Sequence, residues 1–247
     1  MNPNQQDWLH ELKVAVTGGT SGLGLALVAA LAARGAEVAF VARNAARVAE
    51  VTRAVPGTHG LAGDVSRKED IYPIALQVTS VLNGLDVLIN NASTLGPVPL
   101  ALLADTACED LEAALATNVL GPFRLTKALL GALASAGRGG RPALVINIVS
   151  DAAVNAYAGW GAYGASKAAL AHMSRIWNDE LRGSGVRVIA VDPGDMDTPM
   201  HAAALPDAEA ASLKRPADAA NEIIALIELR AKEEAGAARE HAEPAPV

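Results

Sequence analysis

The chain has 247 residues and a formal net charge of −7, with 51% hydrophobic and 19% charged residues. This length suits one domain with a sizeable core, and the composition is that of a globular rather than a disordered protein. An acidic balance without a long basic run argues against nucleic acid or an anionic membrane as a partner. The single cysteine, Cys108, cannot form an internal disulfide, which fits a reducing compartment.

The N-terminal segment bears on where the protein works. Residues 1–11, MNPNQQDWLHE, lack the basic and apolar layout of a secretory signal. No apolar stretch of the sequence reaches the length needed to cross a membrane. We therefore expect a cytoplasmic protein with no membrane partner.

Short apolar runs alternate with longer alanine-rich stretches along the chain. Apolar runs without polar alternation are typical of a parallel sheet that helices cover on both faces. The predicted strands are residues 13–16, 37–42, 59–63, 87–90, 143–149 and 186–191. The predicted helices are residues 22–34, 44–54, 67–82, 106–135, 161–182 and 216–234. This alternation predicts a doubly wound, mainly parallel α/β Rossmann fold of about six strands.

A single domain is predicted over residues 1–235, because neither a linker nor a repeat interrupts the pattern. Residues 135–142, SAGRGGRP, are predicted to form an exposed loop before the fifth strand. Residues 236–247 are predicted to form a frayed polar tail.

A glycine-rich segment, TGGTSGLG at residues 17–24, follows the first predicted strand and precedes a helix. Its glycines let the backbone turn sharply, and the following helix N-terminus presents amide groups to an anion. The arrangement predicts a pyrophosphate site, although three residues separate the first two glycines where the common dinucleotide fingerprint has one. The alternative is a tight turn with a serine or threonine helix cap.

The end of the second predicted strand indicates which dinucleotide binds. A carboxylate there normally binds the adenosine ribose hydroxyls, whereas an arginine accepts a ribose phosphate. The sequence has Ala42 followed by Arg43, which favours NADP(H). The alternative is that Arg43 is a solvated cation at a helix start.

Tyr163 and Lys167 in YGASK lie one helical turn apart. Such a pair is common on helix surfaces, so its meaning depends on its neighbours. Ser150, at the end of the fifth predicted strand, and Asn118, in the preceding long helix, are the other candidate site residues. Their alternatives are a turn or cap serine and a satisfied core amide.

Together TGGTSGLG, NNAS (90–93), Asn118, Ser150, YGASK and DPGDMDT (192–198) resemble the short-chain dehydrogenase/reductase family. The resemblance covers roughly residues 10–200, and the motifs keep the family order and near-family spacing. It implies an oxidoreductase that interconverts a carbonyl and an alcohol on a small molecule by hydride transfer. The alternative is a non-catalytic NADP(H)-binding regulator or scaffold of the same fold. A methyltransferase that binds S-adenosylmethionine would share the glycine loop but would not explain YGASK beside Ser150.

The resemblance implies a role for each of four catalytic residues. Tyr163 acts as the general acid/base, while Lys167 favours its phenolate and binds the nicotinamide ribose. Ser150 polarises the carbonyl by donating a hydrogen bond to its oxygen. Asn118 holds a water molecule that links the lysine to solvent.

The resemblance also implies a cofactor-binding set and no metal site. Its members are Gly18, Thr20, Ser21, Gly22, Leu23, Gly24, Arg43, Asp64, Val65, Asn91, Ala92, Tyr163, Lys167, Pro193, Gly194, Met196 and Thr198. Asn90 is expected to line the cofactor channel as well and to stabilise the sheet. The alternative for Asp64 is a turn or helix-cap aspartate.

Three departures from the family pattern are visible. Ser93 stands where a glycine is commonest, and the glycine loop has no basic residue, so the case for NADP(H) rests mainly on Arg43. The sequence predicts no counterpart of the family's usual seventh strand after residues 216–234. That strand often contributes to tetramer contacts, so we expect a homodimer through residues 106–135 and 161–182 and leave a tetramer open.

The substrate is expected to bind between residues 94–100, 151–160 and 196–216. The candidate apolar walls are Tyr157, Trp160, Met196 and Met200, and the polar candidates are Asp151, Asp195 and His201. His201 is expected to be a solvated loop histidine. The short lid predicts a small or fairly open pocket.

Overall fold

The structure, a computed structural model, describes residues 9–242. Its centre is a parallel sheet of six strands: β1 (Lys13–Thr17), β2 (Glu37–Ala42), β3 (Thr58–Ala62), β4 (Val87–Asn90), β5 (Leu144–Ile148) and β6 (Arg187–Val191). The strands lie side by side in the order β3-β2-β1-β4-β5-β6. The predicted doubly wound Rossmann fold is confirmed.

Helices connect the strands and cover both faces of the sheet. They are α1 (Gly22–Ala32), α2 (Ala45–Ala54), α3 (Lys68–Leu82), α4 (Cys108–Leu115), α5 (Gly121–Arg138), α6 (Gly161–Leu181), α7 (Pro199–Ala204) and α8 (Pro216–Ala242). A π-helical segment, Ala116–Leu120, joins α4 to α5, so the predicted helix 106–135 is three consecutive helical segments. The short helix α7 is not predicted by the sequence pattern.

The strand order creates a crevice at one edge of the sheet. The chain runs outward from β1 to β3 and then returns to place β4 on the other side of β1. Val16 of β1 pairs with Ile89 of β4, so these two strands end side by side. The connections that leave their carboxyl ends diverge, and ligands of such sheets bind in the gap between them.

Two apolar cores lie on the two faces of the sheet. Val14 and Val16 of β1 pack into one core with residues of α1 and α8, whereas Ala15 packs into the other with residues of α3 and α5. Successive residues of one strand thus point into opposite cores. Each strand is therefore apolar throughout, as the sequence pattern indicates.

A buried carboxylate joins the amino ends of the central strands. Asp86, which is 1% exposed, accepts a hydrogen bond from the Lys13 backbone N–H at 2.8 Å. Arg141 donates to both Asp86 oxygens, at 2.9 Å from Nε and 2.6 Å from Nη2. The predicted loop 135–142 is thereby anchored, and it is shorter than predicted because α5 continues to Arg138.

The C-terminal helix is also longer than predicted. α8 continues to Ala242, so the predicted end at residue 234 is wrong and residues 236–242 of the predicted tail are helical. Residues 243–247 of that tail, like residues 1–8, lie outside the described residues. Over residues 9–242, β6 is an edge strand, and no helix has the length and apolar character to cross a membrane.

Candidate active site

A cavity of about 690 Å³ opens at the carboxyl edge of the sheet, where the strand order reverses. It extends from the glycine loop before α1 to the first turns of α6. Every residue of the predicted cofactor-binding set lines it, and so does Ser150. Asn118 and Asn90 do not line this cavity.

The glycine loop has the conformation that its sequence requires. Gly22 has a φ of +49°, a left-handed conformation that glycine adopts without strain. Gly24 packs against the Gly18 carbonyl so closely that a Cβ atom would collide with it. The Ser21 side chain makes no cap hydrogen bond with α1, contrary to the cap alternative. The N-terminus of α1 is therefore available to a phosphate group.

Asn91 braces the glycine loop from the end of β4. Its Nδ2 donates to the Thr17 carbonyl at 2.8 Å, and the backbone N–H groups of Asn91 and Ala92 donate to Thr17 Oγ1, each at 3.0 Å. Asn90 instead points into the sheet interior, where its Nδ2 donates to Asn147 Oδ1 at 2.8 Å. The expectation that Asn90 lines the channel is wrong, because alternate side chains of a strand point in opposite directions.

Arg43 lies at the far end of the cavity, directly after β2. It is exposed, and no hydrogen bond or ion pair within residues 9–242 holds its guanidinium. The neighbouring Asn44, rather than Arg43, caps α2 by accepting a hydrogen bond from the Arg47 backbone N–H at 3.1 Å. The guanidinium is thus free to bind a ligand.

Asp64 and Val65 form the wall next to Arg43. Asp64 Oδ1 accepts hydrogen bonds from the Ser66 backbone N–H at 2.9 Å and from Ser66 Oγ at 2.7 Å. One oxygen of the Asp64 carboxylate therefore stabilises a turn, as the alternative for this residue predicts. Asp64 lines the cavity all the same, and Val65 is buried beside it.

The segment after β6 forms another part of the cavity wall, and Lys214 fixes it. Lys214 Nζ donates to the Pro193 carbonyl at 3.1 Å. The Lys214 backbone N–H donates to the Asp195 carbonyl at 3.0 Å. This wall contains the predicted residues Pro193, Gly194, Met196 and Thr198.

α7 closes the same side of the cavity. Thr198 caps this helix by accepting a hydrogen bond from the His201 backbone N–H at 3.2 Å. His201 lines the cavity, and its Nδ1 is buried without a hydrogen-bond partner among the described residues. The expectation of a solvated loop histidine is wrong, because α7 turns this ring toward the cavity.

Tyr163 and Lys167 lie on the buried face of α6, with exposed fractions of 9% and 2%. The surface-pair alternative is therefore wrong. Lys167 Nζ donates to the Ile148 carbonyl at the end of β5 at 2.7 Å. It also lies 5.5 Å from the centroid of the Tyr163 ring.

Burial shifts the pKa of both groups. Loss of solvation raises the pKa of Tyr163 to about 12, although the Ser150 hydroxyl acts in the opposite direction. Three cavity carboxylates raise this pKa further: Asp192, Asp151 and Asp195. Burial alone lowers the pKa of Lys167 to about 7. Burial is thus the largest influence on the Tyr163 pKa, and the expected stabilisation of its phenolate by Lys167 stays a prediction.

Ser150 follows β5 and faces the same part of the cavity as Tyr163. Its Oγ accepts a hydrogen bond from the Ala152 backbone N–H at 3.2 Å and so caps a short helical turn, Asp151–Ala153. The cap alternative is therefore correct for this serine. A cap and a cavity wall are compatible roles, because a hydroxyl can accept one hydrogen bond and donate another.

Asn118 is completely buried in the π-helical segment. Its Oδ1 accepts from the Thr94 N–H at 2.9 Å and from Ser93 Oγ at 3.1 Å. Its Nδ2 donates to the Thr94 carbonyl at 2.8 Å and to Ser166 Oγ at 2.9 Å. Asn118 is therefore a satisfied core amide, as the alternative has it, and it joins the NNAS loop to α6. Its water-holding role stays a prediction. A serine fits at position 93, where the family commonly has glycine, because the Ser93 hydroxyl donates to Asn118 Oδ1.

A small apolar cluster borders the tyrosine. Leu95, Ala152 and Ala204 are buried against Tyr163, and Trp160 and Met200 pack onto them. The Trp160 and Tyr163 rings meet edge to face with 5.7 Å between their centroids. The predicted walls Tyr157 and Met196 line the same cavity.

Two parts of the site are not among the predicted site residues. Asp192 lines the cavity, and its position directly after β6 is the sequence signal that could have indicated it. Ile148 acts through its backbone carbonyl, the acceptor for Lys167. The sequence pattern does not predict this acceptor, because every residue has a backbone carbonyl.

The family model for short chain dehydrogenase matches residues 13–209. The 2-(R)-hydroxypropyl-CoM dehydrogenase of Xanthobacter autotrophicus is 32% identical over 194 residues, which cover 75% of this chain and 74% of that one. An uncharacterized short-chain type dehydrogenase/reductase of Sinorhizobium fredii is 35% identical over 188 residues, which are 76% of this chain. The chain spans only 33% of that relative's length.

Solved structures share the fold. A short chain dehydrogenase from Burkholderia cenocepacia in complex with NADP has a TM-score of 0.77 at 26% identity, with 89% of this chain and 91% of that one covered. The 3-ketoacyl-(acyl-carrier-protein) reductase from Brucella melitensis, complexed with NADH, has a TM-score of 0.82 at 24% identity and the same coverage. The likeness to the second structure shows the fold alone. From the match to the family model, the chain belongs to the short chain dehydrogenase family.

Proposed function

We propose that the protein is an NADP(H)-dependent oxidoreductase that interconverts a carbonyl and an alcohol on a small molecule. The observation that carries the proposal is the buried pair Tyr163 and Lys167 on the wall of a cavity whose other end is the glycine loop. A nicotinamide cofactor bound in this cavity supplies or accepts the hydride. The protein has to provide the proton and bind the substrate oxygen.

The side chains at this end of the cavity suit those two tasks. Tyr163, with a pKa of about 12, is protonated at neutral pH and donates its proton to the oxygen of a reduced carbonyl. Lys167, with a pKa of about 7, exists in both protonation states near neutral pH and so can return a proton to the tyrosine. Ser150 stabilises the substrate oxygen by donating a hydrogen bond.

The choice of NADP(H) rests on Arg43. Its guanidinium lies free at the end of β2, where Ala42 stands in place of an acidic residue. A phosphate on the adenosine ribose makes charge-assisted hydrogen bonds with such a group. The Burkholderia cenocepacia protein binds NADP and the Brucella melitensis protein binds NADH, so together they support a nicotinamide cofactor of either kind. The preference for NADP(H) is therefore argued from Arg43 alone.

We further propose a homodimer in the cytoplasm. The dimer is supported by apolar side chains exposed on the expected surface, namely Leu120, Phe123 and Ile176. The reducing compartment is supported by Cys108, which is exposed and has no second cysteine in the chain to pair with.

The proposal is tested by incubating the purified protein with NADPH and a panel of aldehydes, ketones and quinones. NADH is run in parallel, and NADP⁺ is run with the matching alcohols. We expect cofactor oxidation with an equal amount of alcohol formed, faster with NADPH than with NADH. Tight NADPH binding without turnover in either direction would contradict the proposal and favour the non-catalytic regulator.

A further inference from the structure

The proton of the Ser150 hydroxyl has a partner in this structure. Ser150 Oγ donates to Asp151 Oδ1 at 3.0 Å while it accepts from the Ala152 N–H at 3.2 Å. A serine hydroxyl has one proton and two lone pairs. A substrate oxygen that needs this proton therefore has to take it over from the Asp151 carboxylate.

Tyr157 holds the other oxygen of the same carboxylate. Its hydroxyl donates to Asp151 Oδ2 at 2.6 Å, a short charge-assisted hydrogen bond. The bond from Tyr157, and then the one from Ser150, lower the pKa of Asp151, which therefore stays ionised at neutral pH. The bond to Asp151 in turn raises the pKa of Tyr157, which stays a hydrogen-bond donor.

Ser150, Asp151 and Tyr157 all line the cavity that contains Tyr163. We call these three hydrogen-bonded residues the Asp151 clamp. The clamp keeps Ser150 Oγ at one position on the cavity wall, so that only its O–H bond has to turn toward a substrate oxygen. When the Ser150 O–H turns to donate a hydrogen bond to a substrate oxygen, Tyr157 still donates to Asp151, so the carboxylate keeps a hydrogen-bond partner.

We propose that Asp151 is a positioning residue of the active site: its carboxylate holds Ser150 Oγ at the position from which the hydroxyl can turn to the substrate oxygen, and Tyr157 holds Asp151. This inference rests on the proposed function. Asp151 acts through Ser150 and does not itself touch the reacting atoms. Its effect is therefore expected in the turnover step and only where Ser150 is present.

The kinetic test combines Asp151→Ala with the wild type and with Ser150→Ala. In the wild-type background we expect kcat to fall about tenfold, because Ser150 Oγ then spreads over several rotamers and is less often placed to donate to the substrate oxygen, with KM within about twofold. In the Ser150→Ala background we expect no further fall. Asp151→Asn keeps one acceptor oxygen and should restore part of the lost kcat.

The matched control is Asp195→Ala. Asp195 lines the same cavity and also raises the pKa of Tyr163, but it makes no hydrogen bond with Ser150. A fall in kcat that is equal for both aspartates would assign the effect to charge and overturn the proposal. An equal fall from Asp151→Ala with and without Ser150 would overturn it too.

A second test does not depend on activity. In crystal structures of the wild type and Asp151→Ala, we expect Ser150 Oγ to leave its position or to spread over several rotamers in the variant. We also expect Asp151→Asn to lower the pKa of Tyr157 in an NMR titration. A Ser150 that does not move, or a Tyr157 pKa that does not change, would contradict the clamp. A wild type without turnover would count against the proposed function alone and would leave these two tests valid.

Discussion

At the end of β2, Ala42 and Arg43 occupy the place where other Rossmann proteins carry an acidic residue that binds ribose hydroxyls. The Arg43 guanidinium has no protein partner within residues 9–242. Arg47, one turn further along, is also exposed, but it donates to Glu50 at 2.8 Å. These two arginines therefore offer a matched comparison.

Arg43→Ala is expected to weaken NADPH binding about tenfold or more and NADH binding less than about twofold, because a charge-assisted contact to the ribose phosphate is lost. Arg47→Ala should change neither Kd by more than about twofold, since its guanidinium is already paired. Isothermal titration calorimetry of the wild type and both variants with NADPH and NADH measures the six Kd values. If Arg43→Ala weakened the binding of NADPH and NADH equally, Arg43 would not bind the ribose phosphate.

Lys167 makes the free energy of unfolding depend on pH. Burial lowers its pKa from 10.5 to about 7, so between these values the unfolded chain binds more protons than the folded one. The cost of burying this lysine is therefore fully present below pH 7 and diminishes as the pH rises toward 10.5.

Compared with Lys167→Met, the wild type should gain unfolding free energy as the pH rises from about 7 to about 9, by at most about 1.4 kcal/mol per pH unit. Tyr163 stays protonated over this range because its folded pKa is about 12, so it does not mask the effect. Urea unfolding of both proteins at several pH values measures the difference. If the difference in unfolding free energy between the wild type and Lys167→Met did not change with pH, the assigned cost of burying Lys167 would be refuted.

At the scale of the elements, the ion pair between Asp86 and Arg141 connects three parts of the sheet. The carboxylate ties β1 to the start of β4, and the arginine ties both to the connection before β5. The side chain of Asp86 is 1% exposed and that of Arg141 is 45% exposed. Removal of the arginine leaves a buried carboxylate without its counter-ion, whereas removal of the carboxylate leaves a cation that water can reach.

Arg141→Ala is therefore expected to lower the free energy of unfolding by about 2–3 kcal/mol. The double variant with Asp86→Ala should lose less than the sum of the two single losses, because it removes the uncompensated charge. Arg182→Ala is the control, since its pair with Asp179 is exposed on both sides, and a loss below about 1 kcal/mol is expected there. Urea unfolding measures all four variants, and equal losses for Arg141→Ala and Arg182→Ala would contradict this account.

The strands are predictable from the sequence because each is an apolar run between turn residues. The first predicted strand, 13–16, and the fourth, 87–90, differ from β1 and β4 by one residue at most. Helix ends are less predictable, because they depend on local composition and packing together. The last turn of α5 contains Ser135 and Gly137, a composition that predicts a loop. The charged residues after 234 predict a polar tail, although the alanines among them favour helix.

At the scale of the whole molecule, the topology accounts for most of the candidate site. Motifs far apart in sequence, from Gly18 to Thr198, meet because parallel strands all end at one edge of the sheet. Hydrogen-bond partners are not predictable in this way. The Asp151 clamp and the contact of Lys167 with the Ile148 carbonyl depend on side-chain rotamers, which the sequence pattern does not encode.

The proposed homodimer also concerns the whole molecule. Light scattering should give a mass twice that of the 25.2 kDa chain. Ile176→Glu, which places a charge on a 44% exposed side chain of α6, should shift the protein toward the monomer. Tyr72→Glu on α3, at a side chain that is 74% exposed, should not change the mass. A monomeric wild type would contradict the dimer.

The central claim is that Tyr163 donates the proton at the end of the cavity where the nicotinamide is proposed to bind. The most direct test measures NADPH oxidation with a reactive carbonyl by the wild type and by Tyr163→Phe, together with the Kd of NADPH for both. Removal of the hydroxyl should lower turnover about a hundredfold or more while the Kd stays within about twofold, because general acid catalysis is lost and the cofactor site is kept. Turnover by Tyr163→Phe equal to that of the wild type would contradict the claim.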